Sequence, residues 1–176
     1  MSHDDNNRLL QAYNRMLEQV RHTWHEAGDE AKPKLDWLIE QAREKLDIAE
    51  ELGREEAEKV GDYLKRDLQD AADYLAGPEA RELGDWLKLD IKLVEQELLD
   101  LFTSVADPTR LELMALEERA QRASEYHTGE ITGIGTLHCS DCGKALHFHT
   151  TGHIPPCPEC HHTIFQREES TDQSNP

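Results

Sequence analysis

The chain has 176 residues, 37% of them apolar and 32% charged, with a formal net charge of −18 and a mean hydropathy of −0.77. That length holds one ordinary domain, or one domain with a small module, and such polarity excludes a thick globular core. Residues 1–126 hold 31 of the 37 acids and 17 of the 19 bases, so no part of the chain offers the basic face that displaces counterions from nucleic-acid phosphates.

The N-terminal MSHDDNNRLL lacks the basic region and apolar run of a signal peptide. No stretch reaches the ~20 consecutive apolar residues of a membrane span. The expectation is a cytoplasmic protein without a membrane partner. In that compartment thiols stay reduced, and paired cysteines bind metal more often than they form disulfides.

The first 125 residues read as helices. Leu10, Tyr13, Leu17, Val20 and Trp24 recur at steps of three and four, the spacing that lines up one helix face. Gly28 and Pro33 bracket a break. Leu35, Ile39, Ala42, Leu46 and Ala49 repeat the pattern up to Gly53, and Ala57, Val60, Leu64, Leu68, Ala71 and Leu75 continue it to Gly77-Pro78. Leu83, Leu87, Ile91, Val94, Leu98, Leu101 and Val105 form the strongest seam. Asp107-Pro108 reads as an N-cap followed by proline at the first helical position, before Leu113, Leu116, Ala120 and Ala123 close the helical part. Such near-heptad seams predict long amphipathic helices in a coiled coil or thin bundle. Seam residues, Met16, Met114 and the tryptophans are assigned to the core, and the acidic outer faces to solvation.

At Tyr126 helical periodicity stops. Gly129, Gly133 and Gly135 come in quick succession around Ile131 and Ile134, and short alternating runs such as Leu146-His147-Phe148-His149 follow, as in small strands. The organisation expected is a helical region at 1–125, a small β module at 126–169 and a disordered polar tail at 170–176. The fold class is therefore α+β, mostly α, with a rubredoxin-like metal ribbon at the C-terminal end.

All four cysteines lie in that module, as Cys139-x2-Cys142, fourteen residues, then Cys157-x2-Cys160. Each C-x-x-C pair forms a tight turn with converging sulfurs, and a hairpin sets two such turns face to face around one tetrahedral ion at ~2.3 Å. Gly143 and His161 occupy the position after each pair, where a positive φ completes the turn. Pro158 stiffens the second turn. The metal ligands are thus Cys139, Cys142, Cys157 and Cys160, holding one ion per chain, zinc ahead of iron. Four thiolates leave no open coordination position, which excludes hydrolytic zinc chemistry.

An iron centre would make the module an electron carrier. Its known architectural counterpart, a di-iron helical bundle with a rubredoxin-like tail, needs Glu-x-x-His pairs on inward faces. His22 and His25 each lack a Glu three residues before them, so this reading fails on its own ligands. His147 and His149, with His138 and His153 nearby, lack the further ligand a second metal site needs. His161 or His162 would ligate only by displacing Cys160. No nucleophile elbow or phosphate loop is present, and no catalytic residue is nominated.

The run YHTGEITGIGTLHCSDCGKALHFHTTGHIPPCPECHHTIFQRE, behind an acidic helical region, resembles the YbeL-like zinc-ribbon family of bacterial proteins. Its specific elements are Tyr126-His127, Gly129-Glu130, Gly133-Ile134-Gly135, both cysteine pairs and Phe165-Gln166-Arg167, with looser likeness in EQAREKL and REEAEKVGDYLKRDL. The resemblance implies N-terminal helices, a C-terminal zinc ribbon and metal ligation by Cys139, Cys142, Cys157 and Cys160. It implies no activity.

The function expected is that of a non-enzymatic, structural zinc-binding protein that contacts other proteins, as an adaptor or regulator. Its long helices offer a route to homo-oligomers. The alternatives are a nucleic-acid-associated ribbon, which the charge opposes, and a rubredoxin-like Fe(Cys)4 electron carrier.

Overall fold

The computed structural model describes residues 3–27, 33, 35–76 and 125–167, with the side chains of 3, 5 and 72–76 excepted. The expected seams at 83–105 and 113–123, the Asp107-Pro108 cap, Met114, the side chain of Leu75 and the tail at 170–176 lie outside the described residues. Within them the chain is α+β, with helices first and small strands after.

Helix α1 spans His3–Glu26, α2 Leu35–Lys45, α3 Ile48–Leu52 and α4 Arg54–Ala76. The break between α1 and α2 falls where Gly28 and Pro33 predict it. Tyr13, Leu17, Val20 and Trp24 of α1 are buried against Leu35, Leu38, Ile39 and Ala42 of α2 and Ala57, Val60, Leu64, Leu68 and Ala71 of α4. Leu10 and Leu46 pack on this core only partly buried. Gly61 of α4 lets α2 approach closely: a β-carbon there would stand 3.1 Å from Ile39 Cγ2.

Two core assignments change. Asp47 adopts a left-handed backbone, φ 48°, ending α2 and turning the chain into α3. That turn resets the helical phase, so Ile48 is buried and Ala49 is exposed. Trp37 is 49% exposed. The inward stripe of α2 runs through Leu35, Leu38, Ile39 and Ala42, and Trp37 projects away from it.

Strands β1 (Glu125–His127), β6 (Ile164–Arg167), β3 (Gly135–Cys139) and β4 (Ala145–Phe148) form an antiparallel sheet in that spatial order. Strands β2 (Ile131–Thr132) and β5 (Gly152–His153) make a second, two-stranded sheet. The ribbon's own core is small: Tyr126, Leu137, Ile154 and Phe165, completed by Cys139 and Cys157. Ile131 and Ile134 are buried in the helical core instead. The ribbon is therefore packed onto the bundle through the segment 131–134 that precedes β3.

Candidate metal centre

The two cysteine turns are built alike. In the first, the Cys139 N–H donates to Lys144 O at 2.9 Å and the Gly143 N–H to Cys139 O at 2.9 Å. In the second, the Cys157 N–H donates to His162 O at 2.9 Å and the His161 N–H to Cys157 O at 2.9 Å. Gly143 has φ 74° and His161 φ 61°, the left-handed positions expected after each pair. In each turn the amide two residues past the second cysteine serves a sulfur, Lys144 for Cys142 and His162 for Cys160. The near-identity of the turns follows from the shared C-x-x-C-x-x pattern.

The turns bring all four Sγ atoms within 4.8 Å of one another. Across the turns, Cys139 and Cys160 stand 3.5 Å apart, as do Cys142 and Cys157. Four sulfurs bound to one ion at ~2.3 Å lie ~3.8 Å apart in a tetrahedron, so the arrangement fits a tetrathiolate ion with little adjustment. The Cys160 N–H, followed by that of Glu159, holds the Cys157 thiol down at about 7, because a donated hydrogen bond favours the thiolate. Cys160 is raised despite the His162 amide, by desolvation and by the other three sulfurs. Neighbouring sulfurs cannot all ionise cheaply without a cation between them. Cys139 and Cys157 are buried, while Cys142 reaches solvent.

The remaining histidines make no second cluster among the described residues. His147 Nδ1 is 2.9 Å from Thr136 Oγ1 on the neighbouring strand. His153 spans Gly129 O and Asn6 O, 3.2 Å from each. His161 and His162 complete the second turn while Cys160 keeps its place in the cluster.

A second polar assembly joins the ribbon to α4. Asp67, fully buried, accepts hydrogen bonds from Tyr13 Oη and the Gly133 N–H, each 2.6 Å. Arg167, at the end of β6, donates to Tyr126 Oη at 3.0 Å, Thr132 Oγ1 at 2.9 Å and Ile134 O at 3.2 Å. It also lies 3.7 Å from Asp67 and 3.9 Å from Asp70. Arg66 donates to Ile131 O and Glu130, and its guanidinium lies 3.7 Å from the centre of the Tyr126 ring. Tyr126 Oη in turn donates to Asp70. Sequence reasoning passed over this assembly. The available signal was Asp67, a carboxylate three residues from Leu64 and four from Ala71, where the apolar stripe of α4 calls for a hydrophobe.

Residues 22–169 match a family described as a zinc-ribbon containing domain. The chain is 28% identical over 133 residues to YbeL, an uncharacterised protein of Escherichia coli K12, covering 76% of this chain and 81% of that protein. The YbeL proteins of E. coli O6:H1 and O157:H7 match to the same extent. No solved structure matches.

Proposed function

Since the chain belongs to the YbeL-like family of zinc-ribbon-containing proteins, we propose that it is a non-enzymatic cytoplasmic protein whose single zinc ion is structural and whose helices and ribbon bind other proteins. The observation that carries this reading is the closed set of four sulfurs held by two matching turns. A tetrathiolate ion has no position for water or substrate. Its binding instead supplies the folding free energy, ~10 kcal/mol or more, that a module of this size cannot draw from apolar burial alone.

The charge supports a protein partner over a nucleic acid. Within 127–169 only Lys144 and Arg167 are basic. Arg167 is buried and Lys144 is paired with Glu159 at 3.1 Å, which leaves little to meet phosphate. The acidic helices suit a partner with a basic face. No described helix is long and apolar enough to cross a membrane.

The test is cross-linking in living cells, with the wild-type chain compared against Cys142→Ser at matched abundance. The proposal expects one discrete protein adduct that the substitution abolishes. Recovery of nucleic acid in place of protein, or an adduct indifferent to the substitution, would contradict it.

A further inference from the structure

Strand β6 links the metal turns to the helical bundle. Its first residue, Ile164, accepts from the Ser140 N–H at 3.1 Å and from Ser140 Oγ at 2.6 Å, within the first cysteine turn. Phe165 pairs with Cys139 in the sheet register. The second cysteine turn closes at His162, two residues before the strand. Three residues beyond Ile164, Arg167 is buried against Asp67 and Asp70 of α4. One four-residue strand is thus fixed at one end by the metal turns and at the other by carboxylates of the bundle.

Both ends depend on each other for their environment. Two of the six buried residues in the ribbon core are the cysteines Cys139 and Cys157, so an ion between the turns would hold the position of Phe165 and hence of Arg167. Asp67 receives Gly133 and Arg167 from the ribbon as well as Tyr13 from α1. If the ribbon withdraws, a buried carboxylate loses two of its partners, a change that low-polarity surroundings penalise heavily.

We propose that the Arg167–Asp67–Asp70 assembly is energetically coupled to the metal centre: ion binding locks β6 and seats Arg167 on α4, and the seated Arg167 raises the affinity of the turns for the ion. The inference rests on the metal reading above. It makes Arg167 and Asp70 positioning residues for a metal they do not touch. Coupling of this kind is reciprocal, so a substitution on α4 that loosens docking must weaken ion binding, by up to the factor by which the ion strengthens docking.

The experiment titrates the full-length chain with Co(II), read by thiolate–cobalt absorption in competition with a chelator. Asp70→Asn and Arg167→Ala are expected to weaken Co(II) at least fivefold, the lower end of ordinary coupling. Ile39→Val, which loosens the bundle on α2 beside Gly61, is expected to leave the affinity unchanged. In parallel, chelation of the wild-type chain should raise amide exchange across α4 residues 66–71 as well as across the ribbon. Should Arg167→Ala fold poorly, Asp70→Asn carries the test alone. Unchanged affinity in Asp70→Asn, or equal weakening in Ile39→Val, overturns the coupling while leaving the metal site intact. A wild-type chain that binds no Co(II) overturns the metal reading and the coupling together.

Discussion

Asp67, midway along α4, and Arg167, the last residue of β6, meet at 3.7 Å with their side chains 0% and 4% exposed. Exposed pairs such as Arg15–Glu51 and Lys59–Glu55 contribute little to stability because water already solvates their charges. A buried pair behaves differently. Its net worth over an apolar pair is small, yet removal of one member strands the other.

Asp67→Ala should therefore destabilise the chain by about 3–5 kcal/mol, since Tyr13 Oη, the Gly133 N–H and Arg66 lose a common acceptor and Arg167 loses its nearest counter-charge. Urea unfolding of the metal-loaded protein measures it. A loss below about 1 kcal/mol, the scale of an exposed pair, would mean that water reaches the site.

Alkaline pH should weaken the fold through two tyrosines. Burial, the largest cause, raises Tyr13 and Tyr126 well above the ordinary value near 10. In the unfolded chain both ionise near pH 10, while the folded chain keeps both protons. Their contribution is fully present well below pH 10 and is lost as pH rises through and beyond it, by roughly 1.4 kcal/mol in total between pH 9 and 11 for each tyrosine. Urea unfolding across that range should show this loss, and Tyr13→Phe should remove one tyrosine's share. An unaltered slope in that variant would count against a proton retained on buried Tyr13.

The left-handed residues after the two cysteine pairs should respond in opposite directions. A β-carbon on Gly143 meets nothing within 4 Å, so Gly143→Ala has only the conformational penalty of φ 74°, about 1–2 kcal/mol. His161 already bears that penalty at φ 61°, and His161→Gly should relieve it by up to ~1 kcal/mol. Thermal unfolding of the metal-loaded protein reads both. Equal effects of the same sign would mean that His161 holds its turn by side-chain contacts.

Cys142→Ser should cost the ribbon its ion although Cys142 is the most exposed of the four cysteines. Near-UV signals from Tyr126 should be lost, while far-UV helix signal from α1, α2 and α4 largely persists on the strength of their own core. Loss of the whole helix signal at room temperature would show that the bundle cannot stand without the ribbon.

How far the sequence reaches depends on whether a feature is local. The stripe on α4 as far as Ala71 and most of that on α1 are legible because they repeat every three or four residues and each position reports the same burial. The cysteine turns are legible because C-x-x-C closes on itself, and the residue after it must take a positive φ, which singles out Gly143 and His161. Ala49 is misplaced, and Ile48 is passed over, because the phase shift comes from a left-handed Asp47, a residue type that also sits in ordinary helices. Trp37 is misplaced because its size, taken alone, stands for burial, whereas the stripe through Leu35 and Leu38 turns it outward. The Asp67–Arg167 contact joins positions a hundred residues apart in sequence. Only Asp67 hints at it, as an acid within an apolar stripe, and nothing local names the cation that answers it.

Elemental analysis of the protein purified from its native source, with its absorption spectrum, decides whether the four thiolates hold a structural zinc ion. One zinc ion per chain and no visible absorption is the expected result. Iron at that stoichiometry, with the thiolate charge-transfer bands of a red Fe(Cys)4 site, would contradict it and make the ribbon an electron carrier.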